Sequence, residues 1–167
     1  MALALDPSFR VDQPRPNDLV GDPLLIAGMG GGFEGTITIV LLDGNGHVLK
    51  ETFTTNTNLS SQWQATIDLP DPPTTHGVLQ VGPATGADEH PGLVSVPVQF
   101  GTAIVAGYRS HFHYTVQQGD TLSSIAAEQA PLYIGTGFQP IVEANRHIIS
   151  DPDVIHPGMV LRLPSDF

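Results

Sequence analysis

Between Leu24 and Phe100 no stretch sustains a helical period, and this limits the fold more than any other feature of the chain. Short β-type runs, "LLIAGM", "GTITIVLLD", "HVLKETFT", "QWQATIDL", "GVLQVG" and "LVSVPVQF", alternate with the turn signals "GGGFEG", "GNG", "NTNLSS", "PDPPTTHG" and "PATGADEHPG". Period-two alternation is clear in Thr36-Ile37-Thr38-Ile39 and in Trp63-Ala65-Ile67-Leu69, where one face is apolar. Many short strands at this spacing predict an antiparallel β-sandwich over residues 23–100. The Pro- and Asp-rich residues 1–22 are expected to be an extended lead-in, and "GTAIVAGYRSHF" (101–112) a last strand running into a linker.

From His113 the texture changes. "YTVQQGDTLSSIAAEQ" begins as a strand and turns at once into a helix. Gly119 permits a tight turn, Asp120 is the expected N-cap, and Leu122, Ile125 and Ala126 make one apolar stripe. In "FQPIVEANRHII", Pro140 fits only a first helical turn, and Ile141, Ala144, Asn145 and Ile148 follow on one face. "SDPDVIHPGM" is a turn-rich return and "VLRLP" a final strand. The order is strand, helix, helix, strand, and the two strands must pair antiparallel to close so small a core.

Two resemblances attach to these stretches. "GDPLLIAGMGGGFEGTITIVLLDGNGHVLKETFTT", with Phe33-Glu34-Gly35 and Asp43-Gly44-Asn45-Gly46, resembles the immunoglobulin-like domain associated with bacterial spore-germination proteins. It implies a fold and an accessory role, with no catalytic residues to carry over. "YTVQQGDTLSSIA", "IVEAN" and "DPDVIHPGMVLRLP" resemble the lysin motif (LysM) in order and spacing. Phe138 stands where an aromatic, often Trp, is common, and Met159 where Gln is usual. The expected architecture is therefore an all-β immunoglobulin-like sandwich followed by a small α+β LysM domain (βααβ) over residues 113–167.

The lysin-motif resemblance implies binding of N-acetylglucosamine polymers, peptidoglycan first and chitin-like glycans beside it. Two loops are expected to form a shallow groove: Gly119, Asp120, Thr121 and Leu122 after the first strand, and Asp153, Val154, Ile155 and Pro157 before the last. Leu122 and Ile155 would be its apolar floor. A neutral acetamido sugar needs such a depression and a few backbone donors and acceptors, with no charge. Each residue also has a plainer reading: Asp120 caps its helix, Leu122 is core, and Asn145 is a buried amide bonding the second loop's backbone.

Catalysis is not expected. The chain has no cysteine, which removes thiolate nucleophiles and cysteine metal sites. Among the seven histidines only His111 and His113 lie close, and no third metal ligand accompanies them. Asp43-Gly44-Asn45-Gly46 lacks the later ligands of a calcium loop and is expected to be a hairpin. Gly28 to Gly35 lacks the helix and Lys-Ser/Thr of a phosphate cradle. Trp63 is expected in the sandwich core rather than as an exposed platform. No cofactor or metal is called for. The net charge is −11, with no basic patch, so nucleic acid is not an expected partner.

"MALALDPSFRVDQP" has no charged n-region and too short an apolar run for a secretion signal, and no segment is apolar enough for membrane insertion. The function expected is non-catalytic glycan binding, with the sandwich as spacer or protein-interaction module. The alternative is a structural adaptor in a larger assembly, such as a phage-tail-like contractile machine, using the same surfaces for protein contacts. The location expected is the cell wall if the chain is exported, and otherwise the cytoplasm or the assembly.

Overall fold

The computed structural model describes residues 9–31, 35–56, 62–84 and 93–167. Ten strands and three short helices are assigned there, and they form two compact units: residues 1–18 with 22–98, and residues 19–21 with 99–167.

The first unit holds most of the strands. β1 (Arg10–Gln13), β3 (Leu24–Met29) and β6 (Gln62–Ile67) make a three-stranded sheet in the order β1-β3-β6. β2 (Asp18–Val20), β4 (Thr36–Asp43), β5 (Val48–Thr55), β7 (His76–Pro83) and β8 (Val94–Phe100) make a five-stranded sheet in the order β2-β8-β7-β4-β5. The period-two pattern does the sorting. Leu24 and Ile26, Ile37, Ile39 and Leu41, Trp63 and Ile67, Leu79 and Val81, and Val96 and Val98 are all buried. Each such aliphatic side chain contributes about 1.5–3 kcal/mol by leaving water, so shifting any strand by one residue is prohibitive.

The β4–β5 hairpin closes as expected. Asp43 is buried, and its Oδ1 accepts from the backbone N–H groups of Asn45 and His47 (2.8 Å each). Gly46 takes the positive φ of 85° that this turn needs. Trp63 is core, 5% exposed, and stacked on Phe9 at 5.8 Å between ring centroids. The Phe33-Glu34 part of the spore-germination resemblance lies outside the described residues. The lead-in expected over residues 1–22 is a correction: it contains β1 and β2, both paired in sheets.

In the second unit, residues 101–112 also depart from expectation. They hold a helical turn, α1 (Gly101–Ile104), and the start of β9 (Ser110–Thr115). The turn begins at Gly101 beneath the Tyr108 ring, where a Cβ would lie 2.2 Å from Tyr108 Cδ1. The Tyr108 hydroxyl donates to the Leu19 carbonyl (3.2 Å), so these residues close a small cluster with Ala144.

Thereafter come α2 (Leu122–Glu128), α3 (Gln139–Ala144) and β10 (Val160–Ser165). β9 and β10 pair antiparallel from Thr115↔Val160 to Ser110↔Ser165. Leu122, Ile125 and Ala126 from α2 meet Ile141, Ile149, Leu161 and Leu163 in one core. α3 stops at Ala144, so Ile148 leaves the expected apolar face and is 42% exposed, while Ile149 is buried in its place. Among the described residues no helix is long and apolar enough to cross a membrane.

Candidate functional site

The abrupt corner after β9 is held by side chains rather than by a long loop. Gly119 takes φ 93°, and Asp120 Oδ2 accepts from the Gln117 N–H (2.7 Å) and from the Tyr114 hydroxyl (2.9 Å). That contact with Asp120, then burial and the charges of Asp120 and Glu128, push the Tyr114 phenol above its usual range. The N-cap of α2 is Thr121 and not Asp120. Thr121 Oγ1 accepts from the Ser124 N–H (3.1 Å), and Ser124 Oγ accepts from the Thr121 N–H (3.0 Å), a reciprocal capping box. Asp120 is thus a turn clasp, and its neighbour does the capping.

The returning loop is brought beside this corner by the backbone. The Val116 N–H donates to the Met159 carbonyl (2.9 Å), and the Gly158 N–H donates to the Val116 carbonyl (2.8 Å). Within the loop, Asp151 Oδ1 accepts from the Asp153 N–H (3.0 Å) and Gly158 takes φ 91°. The two loops enclose a depression of about 160 Å³, lined on the corner side by Asp120, Thr121, Leu122 and Ser123. Pro152, Asp153 and Ile155 line the other side.

A third wall comes from the segment before α3, in the ring of Phe138. The Tyr133 hydroxyl donates to the Gly137 carbonyl (2.7 Å), anchoring the residue next to Phe138. Tyr133 is core, and burial pushes its phenol up to about 12, so it stays a neutral donor. Gly135 must be glycine, since a Cβ would sit 2.0 Å from the Tyr133 hydroxyl oxygen.

Five of the eight expected site residues therefore share one depression: Asp120, Thr121, Leu122, Asp153 and Ile155. Gly119, Val154 and Pro157 do not line it; Gly119 makes the turn, and Val154 and Pro157 face solvent. Leu122 is both core and floor, being only 3% exposed while lining the depression. Asn145 is a fully buried amide, but it bonds strand β10 rather than the loop. Its Oδ1 accepts from the Arg162 N–H (2.8 Å), and its Nδ2 donates to the Arg162 and Ile141 carbonyls (2.8 and 2.7 Å). Phe138, Ser123 and Pro152 were not among the expected site residues. Only Phe138 carried a signal, as a bulky aromatic just ahead of a helix-starting proline.

The lining has two carboxylates, hydroxyls, one aromatic ring and aliphatic carbon, and no cation. Two carboxylates and no cation disfavour an anionic ligand there. Among the described residues no group of His, Asp and Glu is placed to hold a metal ion.

Residues 114–164 match the LysM domain family, and residues 8–88 match the immunoglobulin-like domain of bacterial spore germination. The chain carries both domains. LysM domains bind glycans of the N-acetylglucosamine type as their general role, and both families are binding domains. The chain is similar to a curated protein of Escherichia coli O6:H1 (strain CFT073) named potassium binding protein Kbp, at 44% identity over 78 residues. That match takes in 45% of this chain, and the chain spans about half (48%) of the relative's length.

Proposed function

We propose that this protein binds an N-acetylglucosamine polymer, peptidoglycan first, without catalysis, in the three-walled depression of its LysM domain. The observation that carries the reading is the meeting of Thr121, Leu122, Asp153 and Ile155 with the Phe138 ring around a space of about 160 Å³. In this reading Leu122, Ile155 and Phe138 take the acetamido methyl and one apolar sugar face, while Thr121, Ser123 and Asp153 meet hydroxyl groups. Asp120 acts through Tyr114 and Gln117 to keep the corner closed. A single shallow site of this size binds at micromolar strength at best, about −8 kcal/mol. The immunoglobulin-like domain then serves as spacer or protein contact.

Co-sedimentation of the full chain with insoluble peptidoglycan and with chitin tests this. Phe138→Ala and Ile155→Ser are expected to cut retention at least tenfold, about 1.4 kcal/mol, at a temperature where circular dichroism shows each variant still folded. Wild-type protein left in the supernatant by both polymers overturns the reading. That result favours the adaptor reading, which has its own support: β5 is the outer strand of its sheet and exposes Phe53 (69%) and Val48 (59%). The same assay in KCl against NaCl asks whether the ligand in the relative's name extends to this chain.

A further inference from the structure

We propose that the outer edge of β9 joins the same edge of a second copy of this chain, making a two-fold antiparallel pair of LysM domains. Backbone direction shows which edge of the sheet is open. Val116 bonds the returning segment through the Met159 carbonyl (2.9 Å) and the Gly158 N–H (2.8 Å), so the even-numbered residues of β9 aim their N–H and C=O groups at β10. On β10, Arg162 aims its own groups away from β9, at the Asn145 amide. Two residues on, the Pro164 carbonyl accepts from the Ile134 N–H (3.2 Å). The outer edge of β10 is closed.

β9 has no such cover. His113, opposite Arg162, turns its N–H and C=O outward, as do His111 and Thr115. The sheet has two strands, and among the described residues no third strand lies beyond β9. Two of the outward carbonyls are met by local side chains: that of Thr115 by Gln117 Nε2 (2.8 Å) and that of His111 by the Ser110 hydroxyl (3.5 Å). At His113, which is exposed, neither backbone group is bonded among the described residues.

What the strand carries decides the occupant. Proteins guard open edges with charge, as the exposed Lys50 and Glu51 do on β5. Residues 110–119 contain no Lys, Arg, Asp or Glu, in a chain of net charge −11. An acidic or basic partner strand finds no opposite charge in this window, whereas β9 set against itself meets no like charge while its histidines are neutral. The centre of the outward-facing run is His113. A two-fold axis there sets His113 against His113 of the partner subunit, and Phe112 against Tyr114 of the partner subunit. Phe112 and Tyr114 lie half-buried on the LysM core, and Phe112 stacks on Phe167 (6.5 Å), itself 65% exposed. Self-pairing therefore puts an aromatic pair across the join, beside an aromatic ring that solvent now surrounds.

A seam of one short strand buries less than the roughly 1,200 Å² of a standard interface, so the dimer is weak. The pairing does not depend on what the depression binds. Where the depression binds a glycan, two of them on one dimer hold a single polymer at raised effective concentration.

Sedimentation velocity of the full chain tests the seam, with a monomer–dimer equilibrium expected at a dissociation constant between about 10 µM and about 1 mM. His113→Glu sets two carboxylates at the two-fold axis and should weaken the dimer at least tenfold, while in each chain the new side chain faces Arg162; circular dichroism checks that the variant is folded. Hydrogen exchange locates the contact. The His113 and Thr115 amides should slow as wild-type concentration rises, and the Arg162 amide, already bonded to Asn145, should not change. A chain still monomeric at about 1 mM overturns the proposal and leaves the edge to a strand from another protein. A dimer that leaves exchange at His113 and Thr115 unaltered, or that forms equally well with His113→Glu, overturns it too.

Discussion

Asn145→Ala is the sharpest test of how the LysM unit holds together. The amide is fully buried and makes three hydrogen bonds, to the N–H and carbonyl of Arg162 on β10 and to the Ile141 carbonyl of α3. Truncation leaves one backbone donor without a partner and removes a donor from two carbonyls. A buried group left unsatisfied costs about 1–3 kcal/mol, and a carbonyl tolerates the loss better than an N–H, so the sum is about 3–5 kcal/mol. For a unit this small that is a drop of at least about 12 °C in Tm. Circular dichroism melts give the number, and hydrogen exchange at Leu161, Arg162 and Leu163 locates it.

Asn145→Asp sharpens the argument. It keeps the acceptor for Arg162 but aims a carboxylate oxygen at two carbonyls, so the folded state raises that carboxyl's pKa. A raised pKa means the stability is present below the unfolded value, near 3.9, and is lost as pH rises. The aspartate variant should therefore be relatively least damaged in acid. Asn145→Ala within about 0.5 kcal/mol of wild type would falsify the claim that this amide ties α3 to β10.

Ile125 and Ile141 are both fully buried in the LysM core, and either one changed to Ala is expected to cost about 2–5 kcal/mol in a urea melt. Gly28→Ala should destabilise the immunoglobulin-like unit by about 1–3 kcal/mol, because the new Cβ would lie 2.1 Å from the Arg10 carbonyl oxygen; Trp63 fluorescence reads it directly. For Asp43, burial pushes the carboxyl up, but the His47 and Asn45 N–H groups and the His47 ring together outweigh it and hold it below the usual range. A depressed folded pKa gives stability that is present above the unfolded value and lost as pH falls through the folded one, so the β4–β5 hairpin should loosen in acid. Asp43→Asn should flatten that acid limb in amide exchange at Val48 and Lys50; an unchanged limb refutes it.

What could be seen in advance follows a physical division. Alternation in Thr36-Ile37-Thr38-Ile39 and in Trp63-Ala65-Ile67 told which faces are buried, because a strand has period two whatever it packs against. The corner at Gly119 was equally legible, since the positive φ and the capping hydroxyls act within a few residues. Local rules named Asp120 as the cap, since it is a good cap in isolation, but the Tyr114 hydroxyl, six residues back, claims its carboxylate and Thr121 caps instead. The β1 and β2 strands were missed because proline-rich edges carry little alternation and are defined only by their partners.

By itself the sequence determined the central strands of the sandwich, the βααβ order of the C-terminal domain and the two loops that border its depression, all of which depend on periodicity and turn chemistry within short windows. Tertiary structure alone decided that Phe138 closes a third side of that depression and that Asn145 bonds β10 instead of the loop. The reason is distance along the chain. Those arrangements join residues far apart in sequence, and their contact is set by how strands and helices pack, which no local pattern encodes.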